Sequence, residues 1–205
     1  MPRPRSLSTT DLVSATLAVI DRGDLSALTM RAVANELNMA TMSLYRYVAD
    51  RGELELLVVD QVLGAVDIST PPDAEWRARV ALLVDRMRAA ISAHPAIAPL
   101  VPRHRHDSTS AMRWMNAMLG ALADGGFHGR ARVIAQRTVI AFLLGFLENQ
   151  HYAAIGGRGT AVLAKLPAEE YPFLAATAAE ARKLVAEDEF RGGLEIVLRG
   201  LVPGE

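Results

Sequence analysis

Between Asn38 and Val48 the chain reads NMATMSLYRYV, a set of side chains suited to recognition rather than to bond breaking. Thr41 and Ser43 carry hydroxyls that can hydrogen-bond to bases or phosphates, and Met42 offers an apolar tip that fits a thymine methyl. Arg46 carries a forked guanidinium able to read guanine or to grip a phosphate, and Tyr45 and Tyr47 offer phenolic hydroxyls to a sugar-phosphate backbone. As filler for a solvated helix this mixture is poor. Other stretches offer weaker chemistry. HRHD at 104–107 places potential metal ligands on consecutive residues, without the i, i+4 spacing that helical ligands use. GGRGT at 156–160 is glycine-rich but lacks the lysine, preceding strand and spacing of a phosphate loop, and no nucleophile-elbow motif is present. An enzyme is therefore not expected, and no cofactor or metal is implied.

The elements that would position the recognition residues are helical. Of the 205 residues, 51% are hydrophobic and only 5% aromatic, so a core must be built from Ala, Leu, Val and Met, which are mostly strong helix formers. Ser8, Thr9 and Thr10 offer N-cap oxygens to a first helix carrying Val13, Leu17 and Ile20, with Gly23 expected to end it. Thr29 caps a second, in which Met30, Val33, Ala34 and Leu37 form one stripe. Asn38 then breaks the pattern, as a residue that tolerates positive φ. A short third helix is expected over Thr41–Val48, with Leu44 and Val48 facing inward, and Asp50 caps a fourth. Two helices joined by a tight turn, with small Ala34 allowing a close crossing, make a helix-turn-helix. In such a unit the second helix enters the DNA major groove. Thr29 and Arg31 would then reach a flanking phosphate, Arg51 another, and Arg3 and Arg5 an adjacent minor groove.

Charge count alone does not ask for DNA. The whole chain carries −1, and residues 1–66 hold six arginines (3, 5, 22, 31, 46, 51) against eight acids (11, 21, 24, 36, 50, 53, 55, 60), a formal −2. A solvated helical subdomain or a protein-binding adaptor without specific DNA contacts would show the same count. The arginines nevertheless concentrate in the arm, the helix-turn-helix and the next helix start. Cysteine is absent, which fits a reducing compartment, and no apolar run is long enough to span a bilayer. A soluble cytoplasmic protein without a membrane partner is expected.

The run LTMRAVANELNMATMSLYRYVADRGEL (28–54) resembles the DNA-binding signature of the tetracycline-repressor-like (TetR) family of transcriptional regulators. The matching features are Leu-Thr-x-Arg-x-x-Ala from Leu28, the hydroxyl-Leu-Tyr-x-Tyr core from Ser43, and the basic Arg51 after Asp50. Asn38 departs from the glycine usual at that turn, which bears on strain more than on function. The resemblance implies DNA contacts at Met30, Arg31, Thr41, Met42, Ser43, Tyr45, Arg46, Tyr47 and Arg51. It also implies an all-α fold, with an N-terminal helix-turn-helix domain and a C-terminal helical domain for effector binding and dimerisation.

The domains are accordingly expected as 1–50 for DNA binding, 51–70 for a connecting helix and 71–205 for effector binding and dimerisation, with the Pro71-Pro72 break as the boundary. Helices are expected from Trp76 through Val80, Leu83, Met87 and Ile91, over 110–124 until Gly125 and Gly126 stop it, and over 130–155. Further helices fall near 169–186 and 188–201, while Pro95, Pro99 and Pro102 leave room only for a turn between helices. A mainly apolar effector would be met by Met87, Ile91, Met112, Met115, Asn116, Met118, Phe142, Phe146, Gln150 and His151, with Tyr152 and His94 as further polar candidates. Methionine suits an adaptable cavity, although a methionine stripe at helical spacing also makes ordinary core. The resemblance implies a homodimer through the last helices, assigned to Val139, Leu143, Phe190, Leu194, Val197, Leu198 and Leu201. The alternative is that these helices are core of one chain. Switching would release a palindromic operator when a small effector moves the fourth helix, residues 54–68.

Overall fold

The computed structural model describes residues 7–152 and 154–203, with the side chains of His151 and Tyr152 outside that description. Among the described residues the chain forms helices and no strands. In order these are α1 (Thr9–Ala27), α2 (Met30–Glu36), α3 (Thr41–Leu44), α4 (Arg51–Gly64) and α5 (Trp76–Ser92). A 3₁₀ helix at Pro95–Leu100 leads into α6 (Val101–His104), α7 (Thr109–Asp124) and α8 (Gly129–Tyr152). Then come α9 (Arg158–Leu163), α10 (Pro172–Ala181) and α11 (Ala186–Gly200). Two compact units result. One contains Met1–Thr70 with Asp85–Ala117, the other Pro71–Val84 with Met118–Glu205. Of the three divisions, the one at 70/71 falls between helices, while those at 84/85 and 117/118 fall inside α5 and α7.

In the first unit, Ser8 opens α1 through a capping box, accepting the Asp11 N–H at 3.1 Å while the Asp11 carboxylate accepts the Ser8 N–H at 3.0 Å. Leu12, Val13, Ala15, Thr16, Val19 and Ile20 form its buried face. Gly23 does not end the helix by turning left-handed. Asp24 instead takes a positive φ (64°) with an extended ψ (177°), its carboxylate accepting the Leu25 N–H at 2.6 Å, and the chain kinks there. Gly23 is needed for space instead, because a Cβ there would lie 2.6 Å from that of Ala27.

Thr29 caps α2 by accepting the Ala32 N–H at 3.1 Å. The helix ends in a Schellman turn. Met39 N–H reaches the Ala34 carbonyl at 2.9 Å, Asn38 N–H reaches Asn35 at 3.0 Å, and Asn38 sits at φ 52°. The third helix is shorter than its expected Thr41–Val48 span. Beyond Leu44 the chain tightens into i→i−3 bonds, Arg46 N–H to Ser43 and Tyr47 N–H to Leu44, which still carries Val48 into the core beside Leu44. Asp50 then caps α4, accepting the Glu53 N–H at 3.0 Å.

The proline-rich segment is more than a turn. Pro95–Leu100 packs on α1 and α4, burying Ile97, Ala98 and Leu100. Proline fits the first turn of a helix because its fixed φ suits the helix and its missing N–H would have had no partner there. α4 also packs on α6, and the contact is polar. Glu55, only 3% exposed, points from α4 into it. One carboxylate oxygen accepts Arg51 Nε at 2.8 Å, and the other meets Arg103 at 3.0 Å and His104 Nε2 at 3.1 Å. Arg51 donates a further hydrogen bond to the Leu25 carbonyl at 3.2 Å. Burial alone would raise the Glu55 pKa, but the hydrogen bonds from His104, Arg51 and Arg103 outweigh it and hold the carboxyl below its usual range. One turn further along α4, Asp60 accepts the Ser108 hydroxyl at 2.6 Å and the Ser110 N–H at 2.8 Å, fixing the start of α7. Its pKa is likewise lowered, with burial outweighed by these bonds.

In the second unit, Trp76 packs edge-on against buried Phe127, ring centroids 4.9 Å apart. Gly125 lies beneath the indole, where a Cβ would come within 2.5 Å of Trp76 Cγ. Arg77 stacks over the same ring and donates Nε–H to the Leu198 carbonyl at 3.1 Å, securing the end of α11. α8 packs on α11 through Phe142, Phe146 and Phe190. The glycine that lets these helices approach is Gly193, whose Cβ would lie 2.7 Å from the Phe142 ring; Gly145 has nothing within 4 Å.

Three substitutions test these constraints by thermal and urea unfolding. Asn38→Gly should keep or slightly raise stability, whereas Asn38→Val should lose about 1–2 kcal/mol, since a β-branched residue resists positive φ. Glu55→Gln should cost about 2 kcal/mol at neutral pH. Because the folded-state pKa of Glu55 is depressed, wild-type advantage should be complete above the ordinary carboxylate range and vanish as pH falls through the folded value.

Candidate nucleic-acid interface

The outward face of the head is built by what points inward. Leu44 and Val48 are buried, so the intervening and preceding side chains are turned away from the core. Met42 is 77% exposed, and Tyr45, Arg46 and Tyr47 are exposed beside it, while Thr41 and Ser43 are half-buried. On α2, Thr29 and Arg31 are exposed and Met30 is half-buried. The Thr29 oxygen accepts the cap bond, which leaves its O–H available to donate.

The arginines sort by partner. Arg22 is tied to Glu36 across α1 and α2, and its pKa is raised by that hydrogen bond. Arg51 gives Nε to Glu55 and a terminal nitrogen to Leu25, so the structure uses it to hold the head to α4. Arg31 and Arg46 make no ion pair among the described residues. Of the head's exposed arginines among the described residues, these two are the ones without an acidic partner. Arg3 and Arg5 lie outside the described residues.

The HRHD stretch does not converge on one point. His104 faces Glu55, while Arg105 donates to His106 Nε2 at 3.1 Å. Glu55 itself escaped the sequence reading, although a signal existed. It occupies a position on the apolar stripe of α4 shared by Val58, Val59 and Val62, where a carboxylate must find cations.

The effector candidates fall in both units. Met87, Ile91, Met112, Met115 and Asn116 belong to the first, and Met118, Phe142, Phe146 and Gln150 to the second. Met87, Ile91, Met118 and Phe146 are buried, Met112 and Asn116 exposed, and Met115, Phe142 and Gln150 half-buried. The His151 side chain lies outside the description. The residues assigned to a dimer interface lie on α8, α11 and the residue that follows α11. Val139, Leu143, Phe190, Leu194, Leu198 and Leu201 are buried within the single chain, and Val197 is half-buried, because α8 and α11 pack on each other. The apolar side chains these helices present outward are Val133, Ile134 and Ile196.

Among the described residues no helix is long and apolar enough to cross a membrane. Residues 69–203 match the family described as the tetracyclin repressor-like, C-terminal domain. An HTH-type transcriptional regulator of Saccharopolyspora erythraea is 29% identical over 181 residues, covering 84% of this chain and 76% of that protein. The HTH-type transcriptional repressor DrrR1 of Streptomyces coeruleorubidus is also 29% identical, over 98% of this chain and 78% of its own. Among solved structures, the TetR family protein ActR of Streptomyces coelicolor, in complex with actinorhodin, superposes with a TM-score of 0.80 at 27% identity, covering 96% of this chain and 97% of ActR. With the helix-turn-helix at its N-terminus and two thirds of its length matched by the family's C-terminal domain, this chain belongs to the tetracycline-repressor-like family of transcriptional regulators, which are transcription factors and not enzymes.

Proposed function

We propose that the chain acts in the cytoplasm as a homodimeric repressor, binding a palindromic operator and leaving it when a small, mainly apolar effector binds. The observation that carries the DNA reading is the outward set of Met42, Tyr45, Arg46 and Tyr47 on an element whose Leu44 and Val48 are locked inside. α3 enters the major groove, with Thr41, Met42 and Ser43 toward base edges. Thr29, Met30 and Arg31 meet the flanking backbone with the tyrosine hydroxyls. Arg51 positions the head through Glu55 and Leu25 and stands near the phosphates, and the arm residues Arg3 and Arg5 extend the footprint.

Repression is supported by likeness to DrrR1, whose name records a repressor, and an effector by likeness to ActR, solved with actinorhodin. Candidates for effector contact are taken unit by unit: Met112, Met115 and Asn116 in the first, Phe142 and Gln150 in the second. Of these, the side chains described are all at least partly accessible. Met87, Ile91, Met118 and Phe146 are buried and serve the core of their own units. Dimerisation uses the outer faces of α8 and α11, where Val133, Ile134 and Ile196 are each more than half exposed. A two-fold axis would set two heads on successive half-sites, as a palindrome requires.

Operator binding is tested by fluorescence anisotropy on a duplex selected from randomised DNA by the full-length protein. Arg46→Ala should weaken binding by about tenfold or more. Arg31→Ala should weaken it across sequences and lower the salt slope by about one per half-site. Selection of no sequence, at low salt as well as physiological salt, would overturn the DNA reading. For the dimer, Ile134→Glu with Ile196→Glu should convert the protein to a folded monomer in sedimentation experiments, and an unchanged mass would reject the interface.

A further inference from the structure

We propose that Met42 reads the C5-methyl group of a pyrimidine in the operator half-site, an inference that rests on the major-groove reading of α3. The recognition segment is unusual in what it lacks. From Thr41 to Val48 there is no Asn, Gln, Asp or Glu. Adenine therefore finds no carboxamide for its N6 and N7 pair, and the cytosine amino group finds no carboxylate. What the segment presents outward, beyond short hydroxyls and two tyrosines, is one guanidinium and one unbranched apolar side chain. That apolar side chain is the second residue of α3, at the N-terminal end by which recognition helices approach base edges.

The geometry separates Met42 from its neighbours. It precedes buried Leu44 by two residues and so points to the opposite side of the helix. At 77% exposure it is the most exposed large apolar side chain of α1–α4, ahead of Tyr45 at 46% and Tyr47 at 39%. The tyrosines end in hydroxyls, which suit phosphate oxygens. Methionine ends in a methyl on a polarizable sulfur, with nothing to donate. Across the major groove the apolar feature that a base edge presents is the methyl at C5, on thymine or on 5-methylcytosine. A side chain of this type in this place gains by covering that methyl.

The proposal fixes which operator change the protein should notice. With the selected duplex, each thymine is replaced in turn by uracil, which removes the methyl and nothing else. At one position per half-site the affinity should fall about fourfold, the loss expected for one exposed methyl. At that position a C·G pair should bind weakly, and 5-methylcytosine·G should recover part of the loss. Met42→Ala should unfold at the wild-type temperature, bind the thymine duplex more weakly, and no longer distinguish thymine from uracil there. Met42→Leu should keep the distinction. A thymine-to-uracil loss that persists in Met42→Ala, or is absent everywhere in the wild type, overturns the proposal while leaving operator binding intact. Failure of the wild type to select any sequence is a different result, and it removes the DNA reading and this inference together.

Discussion

Glu55 puts a negative charge where water cannot reach it, and its neighbours are arranged to answer that charge. A buried carboxylate with one partner missing costs several times what an exposed ion pair contributes, so the partners must stay in place. Arg103 and His104 fix α6 against α4, Arg51 is drawn along α4, and its remaining reach ties the Leu25 carbonyl beside the kink that leads to α2. One charge thereby sets the register among α6, α4 and the entry to the helix-turn-helix. Asp60 repeats the device one turn on, with serine hydroxyl and backbone donors in place of cations. Between them the two carboxylates hold the short link from α6 to α7 at both ends.

Local signals in the sequence were sufficient for the head. Ser8, Thr29 and Asp50 each cap the helix they precede, and Asn38 adopts the left-handed turn, because these outcomes depend on a few neighbouring backbone groups. Gly23 misled for a related reason. The positive φ falls on Asp24, one residue later, while Gly23 is required by a close approach to Ala27 that spacing does not show. The short α3 is a similar case. Its apolar positions are helical in spacing, and a tightened turn satisfies them just as well.

The body was less legible because periodicity reports that a helix buries a face, not what covers it. Val139, Leu143, Phe190 and Leu194 have the pattern of an interface, and in the structure the two helices cover one another within the chain. The approach of α8 to α11 depends on Gly193 under Phe142, a contact between residues about fifty positions apart, which no local pattern encodes. Pro95–Leu100 escaped notice for the opposite reason. Proline breaks an α-helix, yet a 3₁₀ turn accepts it and still buries Ile97 and Leu100.

The partnering of the arginines also bears on how a regulator of this build finds its site. Arg22 and Arg51 are bound to acids of the same head, which carries a formal −2 over residues 1–66. Sequence-independent adhesion to DNA comes from cations that displace condensed counterions, and here few are available. On the proposed reading, one-dimensional sliding, which relies on that adhesion, would be short-lived. Such a regulator would find its operator mainly by repeated encounters from solution, and its residence there would depend on the sequence in the groove.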